Sequence, residues 1–293
     1  MNNLEKVISK YDVNVRKIYK KNNLRIIDTD KGKLVLKKHD ENESKLYEYL
    51  LNKNFDYLLE KEDLDNFSVY PYVEEMDIPK EEKAIELVNI LALLHNKTTF
   101  YRQVVLDDIK TMYEELSTKI ENLYKYYYDL QDIIEQIVYM SPEQYLLIRN
   151  VSLFYSSLNF AKDKLNKWYG IKIKQTKERV VLLHNKPSID HILINEQKKL
   201  ISWNDSKRDI PIYDFLYFYK SNYLNFDMTS LFELYQSKFF YTEDEYLLFI
   251  TLLTIPDKIK FTKNHYQNCK NMYKVIKYLT KTRDFVLKEN EKN

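Results

Sequence analysis

Glycine is almost absent, with Gly32 and Gly170 the only two in 293 residues. A loop that cradles phosphate through its backbone needs several glycines within a few residues, because a side chain would block the approach. Neither a G-x-G-x-x-G nor a G-x-x-x-x-G-K loop can be drawn on this chain. Cysteine is scarcer still. Cys269 stands alone, which excludes an intramolecular disulfide, fits a reducing compartment, and leaves a small core residue as its expected role rather than a nucleophile. Excess charge is also missing: 46 Lys and Arg stand against 44 Asp and Glu, a net charge of +2, so neither nucleic acid nor an anionic membrane is implied as a partner. No apolar run approaches the ~18 residues of a membrane span, and the opening "MNNLEKVISKYD" lacks the apolar stretch of a signal peptide. The expectation is a cytoplasmic protein.

Apolar and aromatic residues are plentiful instead. The apolar set makes up 44% of the chain and includes 27 Tyr and 14 Phe, enough side-chain area for a packed interior. Single cores stop growing at roughly 250–300 residues, so a chain of 293 fits two lobes better than one.

The patterning divides the chain in the same way. Residues 15–38 hold three β-rich runs separated by the turn-prone "KNN" and "DKG", which predicts an antiparallel meander after a first helical stretch. "ENESKLYEYLLNKNF" follows with Leu46, Tyr49 and Leu50 at helical spacing, and residues 66–75 read as another strand. A helix opens at Pro79 with acids at Glu81 and Glu82 and a stripe at Ile85, Val88 and Leu91. From there long helices dominate. One begins near residue 107, and Ser141 with Pro142 starts a second that ends near Gly170, a helical hairpin over 107–169. Two strands around 180–194 and 198–205 precede a tail that is helical beyond Tyr213, with capping-box spacing from Thr242 to Glu245. The fold class is α+β, with a small mixed lobe over residues 1–75 and a helical lobe over 76–293.

The stretch "VVLLHNKPSIDHILI", residues 180–194, is a buried strand that breaks into a polar loop at His184 and becomes apolar again after His191. Enzymes present catalytic groups in this way, yet the loop carries Lys186 where a carboxylate would be the obvious chemical group. An ammonium has three donors and no acceptor, so it neither takes a proton at neutral pH nor binds a cation. His184, Asp190 and His191 contain zinc-ligand types, but no further Cys or His lies nearby in sequence, and Ser188, Asp190 and His191 are too close together for a nucleophilic triad. The aromatic cluster "YKYYYDL" (124–130) reads as hairpin core first and partner face second.

Three segments, "HNKPSIDHIL", "ISWN" and "DIPIYDF", resemble the motifs of the protein-kinase-like fold in its aminoglycoside phosphotransferase and choline kinase branch. That branch carries H-G-D-x-x-x-x-N, then I-D-F/W-D/E, then D-P-x-Y-D. The resemblance implies a two-lobed fold with a small antiparallel-sheet lobe and a mostly helical one, whose catalytic loop is residues 184–193. It implies that His184 and Asp214 support the loop. It also places Lys186 at the catalytic Asp, His191 at the magnesium-ligating Asn and Ser202 at the metal-binding Asp. A shift of register would instead bring Asn204 or Asp205 to the metal. In the small lobe Lys37 matches the phosphate-pairing lysine and Glu43 its helix partner. The bulky Lys20, Lys21, Asn22 and Asn23 stand where small residues cover the nucleotide, and "VYPYVEE" matches the linker between lobes.

What is kept is architectural and what is lost is chemical. The resemblance therefore implies a degenerate, pseudokinase-like protein acting as a binding or scaffold module, with an active ATP-dependent phosphotransferase on a small hydroxylated molecule as the alternative. More loosely the chain resembles kinase-like spore-coat proteins. No cofactor is expected, ATP and magnesium entering only under the alternative. The expected partner is a protein or a small anion drawn to Lys37 and Lys186, and the helical hairpin is expected to lie over the cleft.

Overall fold

The computed structural model describes residues 9–21, 24–64 and 66–290. Of the expected first helical stretch, residues 9–11 are described and are helical, while Asn22 and Asn23 lie outside the described residues. Strands β1 (Val15–Lys21), β2 (Leu24–Thr29) and β3 (Gly32–Lys38) form the antiparallel meander. Gly32 closes the second turn at φ +124°, a conformation strained for any residue with a Cβ. Asp40 caps helix α1 (Glu41–Asn52), its carboxylate accepting the Asn42 N–H at 2.9 Å. The chain then returns through β4 (Glu62–Leu64) and β5 (Phe67–Pro71), completing a sheet of order β1-β2-β3-β5-β4. The expected strand over 66–75 is shorter than its pattern, and β4, only three residues long, had no readable alternation.

The pleat sorts the sheet into two faces. Ile27, Leu36, Phe67 and Val69 make a small core on one side, while Val35 and Tyr70 turn to the other and join the main core through α1. Lys37 shares the face of Val35 and so points at α1.

Helix α2 (Lys80–Thr98) starts just after Pro79 and buries Ala84, Leu87, Val88, Leu91, Leu94 and His95. Ile85, expected in the apolar stripe, is instead exposed. The helix is apolar around most of its circumference, so periodicity could not choose the buried side. Strand β6 (Phe100–Gln103) follows, wholly exposed and therefore without a sequence signal. Helices α3 (Leu106–Glu135) and α4 (Pro142–Lys172) form the hairpin, and Ser141 with Gln144 closes the capping box that starts α4.

Strand β7 (Lys177–Leu183) is buried from Val180 onward and has β6 on one edge and the three-residue β10 (Lys207–Asp209) on the other. Between them β8 (Ile192–Ile194) and β9 (Lys198–Leu200) form the hairpin beside the loop. The expected partner strand over 198–205 stops at Leu200, and residues 203–205 make a single 3-10 turn. The tail is helical throughout its elements: α5 (Ile212–Asn222), α6 (Met228–Lys238), α7 (Glu243–Thr254, with the Thr242–Glu245 capping box) and α8 (His265–Asn290).

The hairpin packs on α7 and α8. Lys172 of α4, buried, ties it down by pairing with Glu178 of β7 at 3.2 Å and Asp244 of α7 at 3.0 Å. A buried ammonium needs such carboxylates, since unpaired charge is costly inside a protein. One cavity along α3, about 650 Å³, is closed by Pro256, Asp257 and Lys258 and takes no wall from 184–193 or 202–205. The hairpin, expected to lie over the cleft, makes its main contacts outside itself with α7 and α8. Cys269 is half-buried, its Sγ 3.9 Å from Glu143 Oε2, and is not a core residue. Among the described residues no helix is long and apolar enough to cross a membrane.

Candidate active site

The loop after β7 is held from beneath by one carboxylate. Asp214, in the first turn of α5 and fully buried, accepts the backbone N–H of His184 at 2.8 Å and of Asn185 at 2.6 Å. Its third donor is His95 Nε2 of α2, at 3.1 Å. The proton on Nε2 leaves Nδ1 as acceptor for the hydroxyl of Tyr235, 2.6 Å away, and burial holds that phenol neutral. Tyr235, His95 and Asp214 thus form a buried chain that ends on two loop amides. His184, also fully buried, donates from Nε2 to the Ile201 carbonyl at 2.8 Å and so joins the loop to the segment after β9. Trp203 fills the space under that segment, its indole N–H on the Leu200 carbonyl at 2.9 Å and its ring edge-on to Phe55.

Two residues in this frame hold a left-handed backbone. Asn185 sits at φ +73°, where the resembling motif has glycine, and asparagine is among the non-glycine residues that tolerate this region best. Ser202 sits at φ +69°, ψ +50°, at the position that the motif resemblance gives to a metal-binding Asp.

Above the frame each cleft lysine is already paired. Lys37 donates to Glu43 Oε1 and Oε2 at 2.9 and 2.8 Å and to the Asn204 amide oxygen at 2.7 Å, which uses all three ammonium hydrogens. Alternation could not separate Lys37 from Lys33; the fold does, since Lys33 reaches Glu74 at the exposed end of the sheet. Lys186 pairs with Asp205 at 3.0 Å, both about half exposed. The expected pull of Lys37 and Lys186 on an anion therefore meets two internal counter-charges. Asn204 and Asp205, named as metal positions under a shifted register, do reach the cleft, and each meets a lysine there.

His191 donates from Nδ1 to the Lys186 carbonyl at 3.0 Å, leaving Nε2 as its lone-pair nitrogen. Burial first, and the neighbouring His184 second, lower its pKa from 6.5, so it is neutral at pH 7. The Ser188 hydroxyl caps the short turn by accepting the Asp190 N–H, and no triad contact forms. Among the described residues no group of three or more His, Cys, Asp or Glu is arranged to hold a metal ion. Magnesium favours several hard oxygens in octahedral array, and Asp205, Asn204 and Ser202 fall short of that set while Lys186 occupies the carboxylate.

His95 and Tyr235 were missed in the sequence because a histidine in the apolar run "LALLHNKT" looks like any core residue. The positive φ at Asn185 had a signal, since asparagine stands where the motif has glycine.

No protein-family model and no curated protein matches the chain. Solved structures do. An aminoglycoside phosphotransferase from Alicyclobacillus acidocaldarius aligns over 98% of this chain and 96% of its own, with TM-score 0.66 and 10% identity. A spectinomycin phosphotransferase solved with AMP aligns over 95% and 97%, with TM-score 0.51 and 11% identity. A choline kinase from Streptococcus pneumoniae aligns more loosely, over 97% and 96%, with TM-score 0.47 and 13% identity. The fold is the two-lobed α+β fold that these two phosphotransferase structures share.

Proposed function

We propose that this protein is a catalytically degenerate member of that fold, a binding or scaffold module in which the loop frame is retained and the phosphoryl-transfer chemistry is lost. The observation that carries the reading is the Lys186–Asp205 pair, 3.0 Å apart. In phosphoryl transfer one carboxylate accepts the proton of the attacking hydroxyl and others hold magnesium against the phosphates. Here the position of the proton acceptor holds a donor, and that donor neutralises a carboxylate near the metal position. An internal ammonium stands where a divalent cation would be recruited, so magnesium would have to displace Lys186 before it could bind. Lys37 is likewise engaged by Glu43 and Asn204, with no donor left for a phosphate. A role in a spore-coat-like assembly rests on the looser resemblance alone.

The active reading, transfer from ATP to a small hydroxylated acceptor, draws on the Lys37–Glu43 ion pair and on the fold. Calorimetry with ATP, with and without magnesium, combined with transfer assays on aminoglycoside, choline and sugar acceptors, separates the two. Weak or absent magnesium-dependent binding and no transfer are expected. Transfer at an enzyme-like rate that Lys186→Ala eliminates without unfolding would overturn the proposal. The converse variant, Lys186→Asp with His191→Asn and Ser202→Asp, is expected to create magnesium binding detectable by calorimetry, because it removes the internal cation and adds two carboxylates.

A further inference from the structure

Unpaired positive charge gathers at a cavity apart from Lys37 and Lys186. A cavity of about 400 Å³ opens between the end of α5, the segment Ile255–Lys260 and α8, and four lysines line it: Lys220, Lys258, Lys260 and Lys274. Asp257 is the single carboxylate among the lining residues. Among the described residues none of the four lysines is in an ion pair. The whole chain carries a net charge of only +2, so four lysines against one aspartate, a local +3, exceed the surplus of the entire protein. We propose that this cavity is a binding site for a compact, multiply charged oxyanion of the phosphate class, independent of whether the cleft is catalytic.

The site is built rather than scattered over a surface. The segment that carries Lys258 and Lys260 has no regular structure, yet it is pinned by the tyrosine cluster of α3. Tyr127 donates its hydroxyl to the Asp257 carbonyl at 3.0 Å and accepts the Ile259 N–H at 3.2 Å. Tyr126 donates to the Ile259 carbonyl at 2.6 Å, and the Lys258 ammonium lies over its ring at 4.2 Å. Ser157 of α4 fixes the start of the segment through the Thr254 carbonyl at 2.6 Å. The opposite wall is held in the same manner: Tyr278 donates to the Leu253 carbonyl at 2.6 Å and Tyr223 to the Lys274 carbonyl at 3.2 Å. "YKYYYDL", which read from sequence as hairpin core, thus positions a lysine-bearing wall.

Walls whose backbone is already fixed present their cations with too few counter-charges, so an anion binds without the cost of ordering the loop. Lys220 fits this role closely. It remains solvent-accessible at the cavity wall, yet desolvation by its crowded surroundings lowers its pKa, with Asp257 opposing and Lys119 reinforcing the shift. A bound oxyanion would supply the missing counter-charge. The concave shape and a volume within the roughly 300–1,000 Å³ of small-molecule sites favour a free ligand over a flat lipid surface or a nucleic-acid backbone.

Calorimetric titration of the full chain with inorganic pyrophosphate and with inorganic phosphate, in metal-free buffer at low and at physiological salt, tests the proposal. Saturable binding is expected, tighter for pyrophosphate and weakened by salt. The double variant Lys220→Gln, Lys274→Gln should keep its melting temperature, because both residues are exposed, and lose at least tenfold in affinity. Tyr127→Phe should weaken binding less, by loosening the wall. Absence of saturable binding to the parent would overturn the proposal, as would affinity unchanged in the double variant. Loss of binding in Lys186→Gln in place of the cavity variant would move the anion to the cleft and sink it equally. Co-sedimentation with phosphatidylglycerol vesicles, where the protein is expected to stay in the supernatant, would assign the charge to a lipid surface instead.

Discussion

Lysines gather in two regions of this protein under opposite conditions. In the cleft, Lys37 and Lys186 each meet a carboxylate within 3.0 Å, and Lys37 takes an amide oxygen as well. In the cavity beside α8, Lys220, Lys258, Lys260 and Lys274 share one aspartate and no ion pair among the described residues. The difference follows from which elements supply the counter-charge. The cleft lies where α1 and the segment after β9 bring in Glu43, Asn204 and Asp205, whereas the cavity walls come from two helices and a short segment that are lysine-rich together. Lys37 and Lys186 are thus electrostatically answered within the protein, and the lysines of the cavity beside α8 are not.

The largest expected effect comes from removing the frame beneath the cleft. Asp214→Ala leaves two loop amides and His95 without their acceptor, at about 1–3 kcal/mol for each buried group, so a loss of at least about 3 kcal/mol is expected in denaturant unfolding. Anion binding by the native fraction should persist, since the cavity lies apart from that frame. A variant as stable as the parent would show that Asp214 does not hold the loop.

Glu43→Gln attacks the comparison directly. It strips the buried counter-charge from Lys37 while leaving an amide acceptor, at a cost of about 1–3 kcal/mol, and turns a paired cleft lysine into one resembling those of the cavity. A second, metal-independent pyrophosphate site should then appear in calorimetry. If none does, pairing is not what keeps anions out of the cleft.

The smallest effect is a pH dependence. Burial lowers the folded-state pKa of His191 below its ordinary 6.5. Below pH 6.5 the unfolded chain binds the proton more readily than the native one, so this contribution to stability is present above 6.5 and declines as pH falls toward the lower folded value. Replacing His191 with Gln should flatten the slope of stability between pH 7 and 5.5. An unchanged slope would assign it to other histidines.

Much of the architecture was legible in the chain. The meander, the two long helices and their Ser141 start, the Thr242 capping box and the loop of residues 184–191 left periodicity and cap signals that depend on neighbours in sequence. Strands β4, β6 and β10 left none, because three or four exposed residues have no face to mark. Within the site, the residue types at 186, 191 and 202 were readable. That Lys186 would find Asp205, or that His95 would reach Asp214 across 119 residues, was not.

The sequence by itself determined the order of the meander and the long helices, the scarcity of glycine that rules out a backbone phosphate loop, and the residue types Lys186, His191 and Ser202 in the loop and the segment after it. These depend on residue identity and short-range spacing, which tertiary packing does not alter. The structure alone decided which charges are neutralised, because an ion pair is set by distances between segments far apart in the chain. Lys37 and Lys274 look alike in sequence; one faces a buried glutamate and one further acceptor oxygen, that of Asn204, and the other faces an open cavity with too few carboxylates to answer it. Coulomb energy falls with distance and with solvent exposure, so the same side chain is quenched at one place and left available at the other.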